Sequence, residues 1–223
     1  MYDALLVDFY GTLVAEDGEQ IAEITERIAR ASREPTTAAE VSSRWSALFA
    51  RGCAGAHGAR FRTQREIELE SLAALLAELR APLDPVALSQ PLFAYWARPK
   101  PLPGAAEFLR AVRRPLCIVS NIDTADLHEA LGNLDWSFER IVTSEQCRAY
   151  KPRPEMFAAA LDRLGCAAER ALHVGDSVGS DLAGAAAAGI AAAWLNPAGR
   201  TLPGGLTPPR HVISHLGELT PLL

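Results

Sequence analysis

The stretch ALLVDFYGTLV, residues 4–14, decides how this chain is read. Four apolar residues, Ala4 to Val7, run without a polar break into Asp8, and Gly11 follows three positions later. A short continuous apolar run marks a strand covered on both faces, as in a parallel sheet, whereas a half-exposed strand alternates. Equivalent runs recur at Leu116 to Val119, Ala171 to Val174 and Ile190 to Leu195. Around them, Gly104 to Arg113, Thr124 to Leu131, Glu155 to Leu164 and Ser180 to Ala188 carry apolar residues at helical spacing, with Pro152 and Pro154 placed for a helix start. The alternation predicts an α/β fold, a doubly wound parallel sheet.

Residues 17–96 break that rhythm. Ile21, Ile24 and Ile28, then Ile67, Leu69, Leu72, Leu75, Leu76 and Leu79, keep helical periodicity with no strand-like run between them. Helices are predicted over Glu19 to Arg33, Thr37 to Arg51, Thr63 to Arg80 and Pro85 to Trp96, with Gly52 to Gly58 as a flexible loop. The expected organisation is an α/β core of residues 1–16 and 97–223, with a helical cap of residues 17–96 inserted after the first strand.

The 223 residues are 49% hydrophobic and 22% charged, the balance of an ordered globular chain. A net charge of -5 argues against a surface built for nucleic acid or an anionic membrane, and so for a small-molecule partner. Cys53, Cys117, Cys147 and Cys166 lack the paired short spacing of a zinc site or a disulfide framework. The opening MYDALLVDF has no basic region ahead of its apolar run, so it does not read as a secretory leader, and the expected location is the cytoplasm. The uncharged stretch between Asp181 and Arg200 is mostly alanine and glycine with Asn196 and Pro197 inside it, which reads as helix, turn and buried strand instead of a membrane span. Nothing in the pattern speaks to oligomeric state.

In open parallel sheets the ligand lies beyond the carboxyl ends of the strands. The residues found there are Asp8 with Tyr10, Gly11 and Thr12; Ser120 and Asn121; and Gly175, Asp176 and Ser177 followed by Asp181. Lys151 precedes a helix in the run YKPRP. Asp8, Asp176 and Asp181 brought into one cleft would repel one another unless a cation lay between them, and hard oxygen ligands suit magnesium. Lys151 and the Ser120 hydroxyl could hold a tetrahedral anion opposite that metal, with Asp8 as the attacking carboxylate. His173 sits within the apolar run Ala171 to Val174 and reads as a hydrogen-bonded core residue. Arg51, Arg60 and Arg62 flank the glycine-bearing loop and read as solvated helix ends, with selection of an anionic substrate as their functional alternative.

The segments DFYGTLV, VSN, YKPRPEMF and HVGDSVGSD resemble, in order, the four motifs of the haloacid dehalogenase superfamily. The likeness covers residues 1–15 and the chain from about 97 onward, and the helical insertion resembles the cap of members whose cap follows the first motif. It implies a Rossmann-like core, Asp8 as nucleophile, and Ser120 and Asn121, with Thr12, as binders of the transferred group. It further implies Lys151 as the charge that steadies both, and a magnesium ion held by Asp8, Asp176 and the Tyr10 backbone carbonyl, with Asp181 in support.

Tyr10 departs from that pattern, because phosphatases of the superfamily carry a second aspartate there as acid and base. A phenol with an ordinary pKa of about 10 is a poor base at neutral pH, although it can donate a hydrogen bond and so Tyr10 stays a candidate catalytic residue with Asp8 and Lys151; losing a positioned acid and base forfeits roughly 100-fold to 10000-fold in rate. Members with tyrosine at this place include the dehalogenases, whose leaving halide needs no proton; those enzymes work without metal, and no secure counterpart of their cap arginine is found here. The metal-suited carboxylates weigh more, so the expectation is a magnesium-dependent phosphatase of a small phosphorylated metabolite. A 2-haloacid dehalogenase-like hydrolase and a catalytically silent small-molecule-binding relative are the alternatives.

Overall fold

The computed structural model describes residues 2–222. Six strands form one sheet in the order β3-β2-β1-β4-β5-β6, every neighbouring pair parallel. They are β1 (Ala4–Val7), β2 (Leu116–Ser120), β3 (Ile141–Thr143), β4 (Ala171–Gly175), β5 (Ala191–Leu195) and β6 (His211–Ile213). Among these, β1 and β4 pair at the centre through Ala4 to Ala171 and Val7 to Val174. The chain leaves β1 toward β2 and β3 on one side and returns to β4 on the other. That reversal places a crevice beyond the ends of β1 and β4, where a doubly wound sheet offers its ligand site.

Burial on both faces explains the uninterrupted apolar runs. Leu5 and Val7 point into one cluster with Ile118, Leu172, Val174 and Leu195, while Leu6 points to the other with Cys117, Val119 and Trp194. Both β3 and β6 went unread in the sequence because each is a three-residue edge strand, too short to show a period.

Nine helices are described in chain order. Four follow β1: α1 (Gly18–Ala31), α2 (Ala38–Gly55), α3 (Gln64–Glu78) and α4 (Pro85–Ala97). The rest are α5 (Ala105–Ala111), α6 (Thr124–Leu134), the single turn α7 (Ser144–Cys147), α8 (Pro154–Leu164) and α9 (Ala183–Ala187). Capping sets several starts: Thr37 with Glu40 and Thr63 with Glu66 form reciprocal capping boxes, and Asp84 accepts from the amides of Val86 and Ala87 ahead of α4. The expected flexible loop at Gly52 to Gly58 is corrected, since α2 continues to Gly55 and a short 3-10 turn spans Gly58–Arg60. Burial holds the helix there: Phe49, Cys53 and Ala56 pack on Ile67 and Tyr150. Before α9 the backbone makes one π-helical turn, Val178–Leu182.

Consecutive helices among α1 to α4 pack on one another, and α4 also meets α6. Their apolar residues Ile24, Trp45, Leu72 and Leu88 share one cluster with Phe9, Leu13 and the sheet residues Leu5 and Val7. The chain's exit from the sheet and its return run side by side, Ala15 N donating to the Lys100 carbonyl (2.8 Å) and Leu102 N to the Leu13 carbonyl (2.9 Å). No described helix is long and apolar enough to cross a membrane. All four cysteines are free.

Candidate active site

Asp8 is the first residue after β1, and its amide donates to the Val174 carbonyl (2.9 Å), so the carboxylate stands at the seam between the two central strands. The chain then coils tightly, Leu13 N and Val14 N both donating to the Phe9 carbonyl (2.8 and 3.0 Å). That coil requires Gly11, whose φ is +84° and whose missing Cβ would lie 2.4 Å from Asp176 Oδ1. A second close approach occurs at Gly175, where a Cβ would lie 2.3 Å from Asp181 Cγ. Both acids of the fourth motif thus stand against backbone that has no room for a side chain.

Lys151 Nζ donates to Asp8 Oδ1 (2.6 Å) and to Asp181 Oδ1 (2.7 Å), with all three residues buried. Asp181 also receives Ser177 N on Oδ2 (3.0 Å) and lies 2.9 Å from His173 Nε2, so both its oxygens are occupied by this chain. Thr12 Oγ1 donates to Asp8 Oδ2 at 3.4 Å, a long and weak bond. Asn121 spends both ends of its amide on the Lys151 backbone, accepting from Lys151 N (2.7 Å) and donating to the Lys151 carbonyl (3.2 Å), and thereby fixes where the ammonium can reach. Ser120 is buried at the tip of β2, opposite Thr143.

Asp176 stands apart. Its carboxylate has only the half-exposed Arg200 guanidinium for a cationic neighbour, at 3.9 Å. One oxygen from each of Asp8, Asp176 and Asp181 lies within 4.8 Å of the others. Burial, then the charges of Asp8 and Asp181, push the Asp176 carboxyl up to about 8. Burial also raises Asp8, with Lys151 pulling against it. At Asp181 the upward push of burial is overcome by Lys151 and His173, and its carboxyl is held below the usual range. Burial pulls the Lys151 ammonium down, yet Asp181 and Asp8 more than offset it and hold the ammonium above its ordinary value. Such a group, with one carboxylate offset only by a half-exposed guanidinium at 3.9 Å, fits a hard divalent cation: Asp8 and Asp176 offer oxygens, and Asp181 steadies Lys151 and the turn at Ser177.

Tyr10 turns its phenol elsewhere. The hydroxyl donates to the Trp96 carbonyl (2.5 Å) at the end of α4, and the ring packs edge-on to Phe9. Burial, with Asp126 and Asp17 nearby, raises the phenol above its ordinary value. Arg62 pairs with Glu70 and reaches the Gly52 carbonyl (3.3 Å), so it is committed within the helices.

A cleft of about 480 Å³ separates α2 from the loop carrying Lys151, with Phe49 and Cys53 on one wall and Asn121, Tyr150 and Lys151 on the other. A hollow of similar size, about 510 Å³, lies beside Arg110 and Trp136; Asp8, Asp176 and Asp181 line neither, and only the first includes Lys151. Sequence reasoning missed a second, smaller pocket among the helices, in which Asp17, Gln64 and Glu68 meet Trp45 and Trp96. The one available signal was spacing: Glu68 lies three and seven positions before the buried Ser71 and Leu75, on the inward stripe of α3.

Pyrimidine 5'-nucleotidase YjjG of Escherichia coli (strain K12) is 37% identical over 129 residues, 55% of this chain and 56% of that protein. Haloacetate dehalogenase H-2 of Moraxella sp. (strain B) is 32% identical over 106 residues, 45% of this chain and 47% of that protein. The chain spans about half the length of these curated relatives. In fold it matches the L-2-haloacid dehalogenase from Xanthobacter autotrophicus across the whole chain and 98% of that structure, with a TM-score of 0.77 at 22% identity. The family model of the haloacid dehalogenase-like hydrolases matches residues 2–189, and the chain belongs to that family.

Proposed function

We propose that this hydrolase is a magnesium-dependent phosphatase of a small phosphorylated molecule, with Asp8 as its nucleophile. The observation that carries the reading is the charge of the site: three clustered carboxylates against one buried ammonium leave a formal charge of -2. An ester-forming dehalogenation needs one nucleophilic carboxylate and can use Asp181 to steady Lys151, but Asp176 would only add repulsion there; a divalent cation restores neutrality. Magnesium bound by Asp8 and Asp176 would offset the negative charge on the phosphoryl oxygens.

Asp8, held by Lys151 and Thr12, attacks phosphorus; its bond to phosphorus forms as the ester oxygen departs, and water then releases phosphate and restores the carboxylate. Lys151 presents positive charge to the transferred group, Asn121 acts through Lys151 by fixing its backbone, and Ser120 contributes its hydroxyl. Tyr10, bonded to Trp96, takes no part in proton transfer at Asp8 through its hydroxyl. The substrate is therefore one whose leaving oxygen departs with little help from an acid.

A second reading, hydrolysis of a carbon-halogen bond in a short halo-acid, is favoured by that same Tyr10 and by the several relatives named (S)-2-haloacid dehalogenase. Assay of the wild type, Asp8→Asn and Tyr10→Asp against phosphate esters and 2-haloacids, each with magnesium and with chelator, separates the two. Phosphate release that chelator abolishes, that Asp8→Asn lowers by about 1000-fold or more, and that Tyr10→Asp raises supports the first. Halide release indifferent to chelator replaces it with the second. Saturable ligand binding with no turnover of either substrate ends both.

A further inference from the structure

The pocket of about 200 Å³ among α1 to α4 is lined by no positively charged side chain, and besides its two indoles only Ser46 and Gln64 offer side-chain donors. Glu68, only 4% exposed, lines it with Oε1 buried and without any protein donor, and Gln64 Oε1, one turn earlier on α3, is in the same condition. Asp17 adds a third acceptor group from the entry to α1. The nearby indole N–H groups are already spent, Trp96 Nε1 on Asp17 Oδ2 (2.8 Å) and Trp45 Nε1 on Ser71 Oγ (3.2 Å). No lysine, arginine or histidine lines the pocket, and the neighbouring Arg65 is committed to Asp126 by two bonds of 2.8 and 2.5 Å.

Buried acceptors without donors are costly, and a buried carboxylate without a cation is more so. The deficit is met by a ligand that brings several donors and positive charge. Trp45, Phe49 and Trp96 supply aromatic walls, and aromatic faces attract an organic cation. We propose that this pocket receives a primary ammonium group at the organic end of the substrate. Phe49 lines both this pocket and the cleft containing Lys151, so the two lie against one side chain, and the proposal requires a short amine-bearing chain to pass it. The upward push of burial on the Glu68 and Asp17 carboxyls is the penalty such a cation removes. The proposal rests on the phosphatase reading only for the identity of the substrate's other end.

Titration of the protein with n-butylammonium chloride, at constant ionic strength, reads the pocket through the emission of Trp45 and Trp96 and needs no catalysis. The expected result is a saturable change that n-butanol and butyrate do not produce. Glu68→Gln, which keeps the side-chain shape, is expected to weaken it by at least about tenfold, the worth of a charge-assisted hydrogen bond. If that variant does not fold, Asp17→Asn decides, since asparagine can still accept from Trp96. No saturable response, equal binding of butanol, or undiminished binding by a folded variant overturns the proposal. In a parallel assay of 4-(aminomethyl)phenyl and 4-(hydroxymethyl)phenyl phosphate, whose phenolate departs with little help from an acid, ammonium binding without phosphate release leaves the pocket standing and removes the phosphatase. Phosphate release with no preference for the amine does the reverse.

Discussion

Gly11 fills a position where no other side chain fits: its φ is +84°, and an added Cβ would lie 2.4 Å from Asp176 Oδ1. An L-residue in the left-handed region costs about 1–2 kcal/mol, and the Asp176 carboxylate must also shift. Displacement of a reacting-site group by about 1 Å can cost about 100-fold in rate. Gly11→Ala is therefore expected to lower kcat/KM by about 100-fold while the far-ultraviolet circular dichroism spectrum stays that of the wild type. Glu68 gives a different prediction. Burial, then the charge of Asp17, push its carboxyl up to about 8 from an ordinary 4.5. Between those values the folded state holds a proton that the unfolded state has released, so stability is full below the unfolded value and is lost as pH rises through about 8. Glu68→Gln has no such proton. Its stability advantage over the wild type is expected to grow from pH 5 to pH 9 by about 1–3 kcal/mol, read from paired denaturant titrations.

Among the elements, the start of α3 is tied to the start of α6. Asp123 accepts Gln64 N (2.7 Å) and Arg65 N (3.1 Å), and the Arg65 guanidinium grips Asp126 while lying 4.4 Å from the centre of the Phe93 ring. A carboxylate at a helix N-terminus meets free amides and the positive end of the helix dipole. Asp123→Ala is expected to cost about 2–3 kcal/mol and to speed amide exchange at residues 64 and 65, with a smaller effect on β1 and β4. Helix starts were legible to within a residue or two because Thr63, Asp84 and Pro154 cap or open helices by local chemistry. The continuation of α2 through Gly52 was not, since it depends on Ile67 and Tyr150, which meet it only in the folded chain.

At the scale of the molecule, the proposed divalent cation would meet three clustered carboxylates and one buried ammonium, a formal charge of -2, before any substrate arrives. A ligand that binds only the folded state at 100 times its Kd adds about 2.7 kcal/mol of stability. For a chain of this length that is a rise of about 5–10 °C in Tm. Magnesium is expected to raise the wild-type midpoint by this order in differential scanning fluorimetry and to leave Asp176→Asn unmoved. The variant is also expected to exceed the wild type without magnesium, because an uncompensated buried carboxylate has been removed.

The sequence alone determined the sheet's central strands, because residues covered on both faces must be apolar throughout, as Ala4 to Val7 and Ala171 to Val174 are. It also placed Asp8, Lys151, Asp176 and Asp181, since each adjoins a strand end or helix start that local chemistry marks. Tertiary structure decided what those residues meet: Asn121 on the Lys151 backbone, Tyr10 on Trp96, and His173 on Asp181. It alone assembled Asp17, Glu68 and Trp96 into one pocket. Periodicity states which side of a helix faces inward, but the neighbour found there is set by packing between helices far apart in the chain.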